Sequence, residues 1–237
     1  MIERHAGPPP FATGHGHLSL DDFGRAGVRV AVRRFGARDL IFAPGDPDGQ
    51  LYFLLDGTVR LYKIYGECRE ATVALLTEGD VFGELGLEGK TRQKDFAEAV
   101  AVSRVAVVRK PNLIEAVRRH PEFALKLFSS FSRRLGRSEE TIESLLDREV
   151  STRLATLLSH LADRFGEPDG SAMVLNVRLT HQDLAHMVAS TREAVSKVMS
   201  EFRRDGLIEV RARRISVLPR LARARPGNPP SVPGAAA

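Results

Sequence analysis

The chain has a single cysteine, Cys68. An internal disulfide is excluded, and one thiolate cannot hold an iron–sulfur cluster, which takes about four. Long apolar runs are missing too. Stretches such as 100–102 and 105–108 fall far short of the roughly 20 residues that cross a membrane as a helix. The first residues, MIERHAGPPPFATGHGH, contain no apolar core of the length a secretory signal needs. A soluble, cytoplasmic protein with no membrane partner is therefore expected. Histidine is absent between 21 and 110, the seven standing at 5, 15, 17, 120, 160, 181 and 186. A metal-binding barrel of the cupin kind, which holds its ion mainly with imidazole, lacks its ligands here. No Ser/His/Asp order, nucleotide P-loop or Gly-x-Gly-x-x-Gly is present either, so neither an enzyme, catalytic residues nor a metal site is expected.

What is present is a chain of 237 residues, 27% charged and 43% apolar, enough for one large domain or two smaller ones. The formal net charge is +5, but between 178 and 225 eleven Arg/Lys stand against five Asp/Glu. The basic character thus belongs to the C-terminal segment. It favours a polyanion, nucleic acid or an acidic surface, through steering and counterion release.

Residues 1–20 and 223–237 are rich in Pro, Gly and Ala without periodicity, and disordered tails are expected there. Between 28 and 108, short runs such as LYFLL, VRLYKIY and ATVALL are separated by PGDPDG, DG, YGE and EGD. Closely spaced turn signals of this kind predict an antiparallel β-barrel or roll, assigned to 21–110. After Pro111 the period changes. Phe128, Phe131, Leu135, Ser138, Ile142 and Leu145 step by three and four, the seam of a long helix within 111–147 that pairs with a second copy or packs on its own barrel. Ser138, a hydroxyl at an apolar step, either bonds the helix backbone or faces a polar guest. The seam loses its apolar residues near 147–150, where a hinge fits. A second helical pattern follows through Leu154, Leu157, Leu158 and Leu161, opening a region assigned to 148–222.

In RLTHQDLAHMVASTREAVSKVMSEFRRDGLIEV, Thr180 with Asp183 reads as a capping box, and so does Ser190 with Glu193. Two helices are thus expected to start ten residues apart, with a turn near 188–190. Leu184, Met187 and Val188 face inward on the first, and Val195, Val198, Met199 and Phe202 on the second. That leaves Thr191, Arg192, Glu193, Ser196 and Lys197 outward, donors and one acceptor at the spacing that reaches base edges. LIEV, RARR and ISVL then suggest a two-stranded wing. A helix-turn-helix with double-stranded DNA as its partner is the reading.

With these features in this order, the chain resembles the CRP/FNR superfamily of bacterial transcription regulators from about Leu40 to Leu218. The markers are PGD at 44–46, Gly57 in LLDGTVRLY, EGDVFGELGL at 78–87, FAEAVAVS at 96–103 and Thr191-Arg192-Glu193. The resemblance implies an α+β protein: an N-terminal antiparallel β-roll like a cyclic-nucleotide-binding domain, a long dimerisation helix, and a C-terminal winged helix-turn-helix that recruits RNA polymerase. It implies that Arg192, Glu193 and Lys197 read a TGTGA-like half-site, Arg192 bidentate to a guanine and Glu193 accepting from a cytosine. The third position is an arginine in the cyclic-AMP receptor, so a lysine there relaxes specificity. Thr180, His181 and Gln182 match the phosphate-contacting start of the first helix. Ala189 stands where relatives often have glycine, which is tolerable if its φ stays negative.

For an effector, GELG at 83–86 suits either a turn whose free N–H groups cradle an anion or one that only closes the roll. The Arg-Ser pair of cyclic-AMP receptors is absent from TRQKDFAEA, where Gln93 and Lys94 stand at or beside those positions. Arg92 or Lys94 is the substitute, and Glu84 matches the glutamate that holds the ribose. The helix region SSFSRRLGRSEETIESLLDREVSTRL also resembles the nitrogen-control branch, which binds 2-oxoglutarate. Arg134 and Glu139 fall on its helix ligands, and Phe82, Gly83 and Leu85 agree. Asp95 and Glu84, however, place two acids toward a dianion unless Arg92 or Lys94 turns inward. FAEA resembles members that need no effector. The expectation is a homodimeric DNA-binding activator that works on a near-palindromic site without an effector. One alternative is a regulator gated by cyclic AMP or 2-oxoglutarate bound beside Ser138 and Glu139. A more distant one is a cyclic-nucleotide-binding module without DNA function.

Overall fold

The computed structural model describes residues 18–47, 49–65, 69–84, 92–147, 149–211 and 214–222. The expected tails over 1–17 and 223–237 lie outside these residues, as do Cys68 and the pocket candidate Leu85. The fold begins earlier than the expected boundary at 21. Ser19 N and Oγ each donate to Asp22 Oδ2 at 2.9 Å, which caps helix α1 (Leu20–Arg25). Leu18 just before the cap and Phe23 one turn inside are both fully buried, an apolar staple that fixes how the chain enters the helix.

Among the described residues eight strands build the roll: β1 (Ala31–Phe35), β2 (Leu40–Phe42), β3 (Gln50–Asp56), β4 (Val59–Tyr65), β5 (Arg69–Leu76), β6 (Val81–Phe82), β7 (Phe96–Ala99) and β8 (Ser103–Arg109). They form two antiparallel sheets, β1-β8-β3-β6 and β2-β7-β4-β5. The central strands of the first sheet are apolar on both faces, and the period of two sorts their side chains between two cores. Tyr52, Leu54, Val105 and Val107 face the second sheet with Phe42, Leu61 and Phe82. Leu51, Phe53, Ala106 and Val108 face the helices, meeting Phe23, Leu113 and Phe123. Gly57 turns β3 into β4 at φ 95°, and a Cβ there would collide with Ser103 Oγ, so only glycine fits.

The stretch expected as one helical region holds two helices, α2 (Lys110–Arg119) and α3 (Pro121–Leu145). Pro121 forces the preceding His120 out of helical ψ, to 83°, which breaks the run. Along α3 the outward row is Leu125, Phe128, Leu135, Ile142 and Leu146, with Phe128 69%, Leu135 62% and Ile142 61% exposed. Ser132 and Glu139 fill the intervening heptad steps, both exposed. The expected seam is corrected in two places. Phe131 lies about 60° round the helix from Phe128 and packs with the roll core. Ser138 is also off the row and donates to Arg134 O at 3.1 Å, satisfying itself on the helix. Leu145, 39% exposed, sits at the edge of the row.

The C-terminal domain comprises α4 (Val150–Phe165), β9 (Gly166–Asp169), β10 (Ala172–Leu175), α5 (His181–Met187), α6 (Arg192–Arg204), β11 (Ile208–Arg211), β12 (Arg214–Val217) and α7 (Pro219–Ala222). The wing is larger than the expected pair of strands. β9 and β10 join it in a four-stranded antiparallel sheet of order β11-β12-β10-β9. One core unites Leu154, Leu158 and Leu161 of α4 with Leu184, Val195, Phe202 and Ile215, and Leu75 of the roll reaches into it.

Candidate nucleic-acid interface

Thr180 caps α5 as its spacing predicts. Its Oγ1 accepts from Asp183 N at 3.1 Å, and Asp183 Oδ2 accepts from Thr180 N at 2.8 Å. The second expected capping box does not form. α6 is capped by Thr191, whose Oγ1 accepts from Ala194 N at 3.2 Å, so the two caps stand eleven residues apart and Ser190 belongs to the turn. Ser190 N bonds Ala185 O at 3.0 Å instead, closing that turn over the end of α5. Ala189 makes it possible by taking φ 49°, against the expected negative value. An alanine in the left-handed region is strained, because its Cβ crowds the following carbonyl.

With α6 started one residue later, its faces still sort as expected. Val195, Val198, Met199 and Phe202 are buried, while Thr191, Arg192, Glu193 and Lys197 are exposed. Arg192 and Glu193 thus project from the first turn of a helix whose opposite side is anchored in a core. Ser196 is half-buried, since its Oγ meets His181 Nδ1 at 2.8 Å. This bond ties the start of α5 to the middle of α6. Gln182 is exposed, with Nε2 2.5 Å from His186 Nε2. Arg153 on α4 braces the turn from behind, donating Nε–H to Val188 O at 2.9 Å and NH1 to Asp147 O at 2.7 Å. His181 and Ser196 therefore join the two helices, with Thr180 and Gln182 exposed at the start of α5 and Thr191, Arg192, Glu193 and Lys197 exposed on α6. Arg192 and Lys197 present cationic donors there, and Glu193 presents an acceptor, as readout of base edges and phosphates requires.

The effector candidates are only partly brought together. Phe82 is buried in the roll core, and Gly83 turns at φ 93°, where a Cβ would press on the Tyr52 ring at 2.7 Å. Glu84 N donates to Gln93 Oε1 at 3.0 Å. Arg134 reaches across from α3 to Val81 O at 3.4 Å. Burial lowers the pKa of its guanidinium, and nearby Asp95, Asp80 and Glu84 oppose that shift. Three expected members lie elsewhere. Arg92 is exposed and donates to Gly45 O at 2.5 Å, held on the outer turn by the bridge between Pro47 and Arg92. Lys94 is exposed, and its carbonyl accepts from Lys63 Nζ at 3.2 Å. Glu139 is exposed on the outward row of α3. The inward residue of TRQKD is the neutral Gln93, which is buried because the alternation into β7 sends every second side chain inside. Asp95 pairs with Lys63 Nζ at 2.6 Å.

Sequence reasoning missed the residues that join the two domains. Asp80, in the turn before β6, is buried and bonded by Arg137 of α3 and Arg164 of α4. Glu70 on β5 bonds Arg60 at 2.9 Å and lies 3.5 Å from His186 of α5. For Asp80 the sequence offered only an acid inside the EGD turn motif, and for Glu70, within a strand, it offered no signal. Among the described residues no group of three or more His, Cys, Asp or Glu side chains is placed to hold a metal, and no helix is long and apolar enough to cross a membrane.

Two family models match the chain, a cyclic nucleotide-binding domain over residues 32–120 and a Crp-like helix-turn-helix domain over residues 152–223. A global nitrogen regulator of Synechocystis sp. is 35% identical over 188 residues, 78% of this chain and 84% of that protein. A CRP-like cAMP-activated global transcriptional regulator of Mycobacterium tuberculosis is 29% identical, over 75% of this chain and 79% of its own. Among solved structures, a CRP family transcriptional regulator from Thermus thermophilus superposes with a TM-score of 0.65 at 30% identity, covering 78% of this chain and 91% of that one. A CRP/FNR family regulator from the same organism gives 0.64 at 30% identity, covering 82% and 100%.

Proposed function

The chain belongs to the CRP/FNR family of DNA-binding transcription regulators, and from that premise we propose that it acts as a homodimeric activator that reads a near-palindromic TGTGA-like site without needing an effector. The observation that carries the reading is the first two turns of α6, where Arg192, Glu193 and Lys197 stand exposed on a helix whose other face is packed. Arg192 presents a planar fork to a guanine O6/N7 edge, Glu193 accepts from a cytosine amino group, and Lys197 supplies a point charge. Thr180, His181 and Gln182 at the start of α5 lie against the backbone, where polar side chains and a helix N-terminus fix register on phosphates.

The outward row of α3 supports the dimer. Leu125, Phe128, Leu135, Ile142 and Leu146 repeat at heptad spacing over the length of the helix, and within the chain no described element covers them. A second copy of α3 buries them about a two-fold axis, which sets the two α6 helices to enter successive major grooves about one helical turn apart. Recruitment of RNA polymerase from that position is the proposed route to activation.

Independence from an effector is supported by the charges around the cradle. Arg92 and Lys94, the candidate replacements for the missing Arg-Ser pair, are directed to solvent, and Arg134 stands among Asp80, Glu84 and Asp95. A phosphate or a dicarboxylate brought there competes for Arg134 with carboxylates that already face it. A gated form of the same regulator is the second reading, favoured by Gln93, whose buried Nε2 has no hydrogen-bond partner. The amide could donate to an occupant of the cradle. Fluorescence anisotropy on a TGTGA-N6-TCACA duplex at fixed salt tests both, with no addition, then cyclic AMP, then 2-oxoglutarate. Tight specific binding without additions is the expected result. Binding that needs one of the small molecules would establish the gated form, and binding equal to that of a random duplex would overturn the half-site assignment.

A further inference from the structure

Among the described residues, Asp80 is the point at which the roll, the long helix and the DNA-binding domain meet through charge. It sits in the turn between β5 and β6, where Thr77 N donates to its Oδ2 at 2.9 Å and Thr77 Oγ1 lies at 3.4 Å. Arg137 of α3 reaches it with both terminal nitrogens, NH2 to Oδ1 at 2.5 Å and NH1 to Oδ2 at 3.2 Å. Arg164 of α4 places NH2 3.1 Å from the same Oδ2 and bonds the roll again through NH1 to Leu75 O at 2.9 Å. Burial lowers the pKa of the Arg164 guanidinium, the Arg137 charge lowers it further, and Asp80 and Glu140 oppose that shift. Two guanidinium groups this close repel, and the carboxylate between them is what lets both sit there.

We propose that Asp80, Arg137 and Arg164 are positioning residues of the DNA-reading head, a clamp that fixes α4, and with it α5 and α6, at one angle to α3 and the roll. The proposal rests on the reading that two copies of α6 engage a two-fold site. α4 shares one core with α5 and α6, so an angular error at Arg164 is carried whole to Arg192 and Glu193. α3 carries the row on which the copies pair, so the angle between α3 and α4 sets the separation of the two reading helices. The clamp thereby makes half-site spacing a property of three side chains that never touch DNA. A neutral residue at position 80 would leave Arg137 and Arg164 facing each other, and their repulsion would free α4 from a single angle.

The test is the spacing preference of the full-length protein, measured by anisotropy on duplexes with TGTGA and TCACA half-sites separated by five, six, seven or eight base pairs. Each added base pair turns one half-site by roughly 35° and moves it along the axis. The wild-type protein should lose on the order of tenfold or more in affinity away from its preferred spacer. Asp80→Asn should lower affinity for that spacer on the order of tenfold and flatten the preference to within about threefold, with binding to a random duplex unchanged. Arg164→Met should reproduce this profile, the double variant should be no worse than either single one, and Asp80→Glu should restore much of the preference. If Asp80→Asn does not fold, Arg164→Lys, which keeps the charge and loses the fork, gives the same readout. A lower melting temperature with the wild-type spacing profile would overturn the proposal, because that is what a merely structural ion pair gives. A gain in affinity for the preferred spacer would overturn it too, making the clamp a brake. A wild-type protein that binds no paired half-sites better than random DNA would instead overturn the reading of function beneath it.

Discussion

Ala189 shows how one φ value can decide the shape of a reading head. The turn between α5 and α6 needs a left-handed residue, and alanine supplies it at φ 49°. An L-residue there costs roughly 1–2 kcal/mol in crowding, while glycine costs about 0.4–1 kcal/mol through the freedom it adds to the unfolded chain. Ala189→Gly is therefore expected to raise stability by about 0.5 kcal/mol, read from urea midpoints, without changing DNA affinity. At Arg192 the balance lies in binding. Replacement by alanine removes a bidentate donor and is expected to cost about 1–3 kcal/mol on the best half-site, with discrimination lost at the one base pair it reads. Lys197→Ala should instead weaken all sequences nearly alike and reduce the slope of affinity against salt by about one. Competition anisotropy against duplexes with single base changes separates the two outcomes.

Among the elements, α3 has two faces with different jobs, and substitutions three to four residues apart should reveal them. Leu135→Lys puts a charge on the outward row. The protein should stay folded and run as a monomer by sedimentation, and the loss of bivalent binding should cost on the order of a hundredfold in affinity for a paired site. Phe131→Ala, on the flank of α3 that packs against the roll, should leave the dimer intact and destabilise the roll by about 2 kcal/mol, since a partly buried ring is removed from the edge of the core. The start of α3 is pinned to α1 by Lys126 Nζ, 2.6 Å from Asp22 Oδ1. Burial raises the Asp22 pKa, but the hydrogen bonds from Lys126 and Ser19 and the Lys126 charge outweigh it and hold the carboxyl below its ordinary 3.8. A depressed carboxyl contributes stability that is complete above the unfolded value and disappears as pH falls through the folded one. Asp22→Asn should thus be less stable than wild type at neutral pH, and the gap should close as pH drops below about 3.8. Chemical denaturation at pH 7, at about pH 4 and at about pH 2.5 follows it.

Across the whole molecule, the parts written into the sequence are those set by local period and local caps. The roll was legible because runs such as LYFLL alternate between turns, the reading helix because Thr180 and Asp183 cap α5 and the apolar positions of α6 repeat at helical spacing. The sequence places the start of α6 one residue early, because Ser190 and Thr191 are both good caps and the φ of Ala189 decides between them. The α3 seam was misassigned at Phe131 for a related reason: apolar residues on the open face and on the core-facing side of one helix look alike until the roll packs on one of them. Leu18 is not legible as a core residue because a single apolar residue beside a Pro-rich stretch has no period. The clamp at Asp80 was out of reach, since its partners come from positions 137 and 164 and nothing in the spacing of charges announces a pairing that only the tertiary fold creates.

The order of the strands also has a bearing on time. β1 pairs with β8, placing Ala31 opposite Val107, so the first strand of the roll waits for the last. Contacts this distant along the chain are slow to form. The C-terminal domain, built on nearer partners, should recover first after dilution from denaturant, giving two kinetic phases, the earlier regaining α4 to α7 and the later the roll with the helices that pack on it. Asp80 precedes β6, which is held by β3 within the slow sheet. The capacity to choose between operators of different spacing should consequently return with the slow phase, after binding to DNA in general has already recovered.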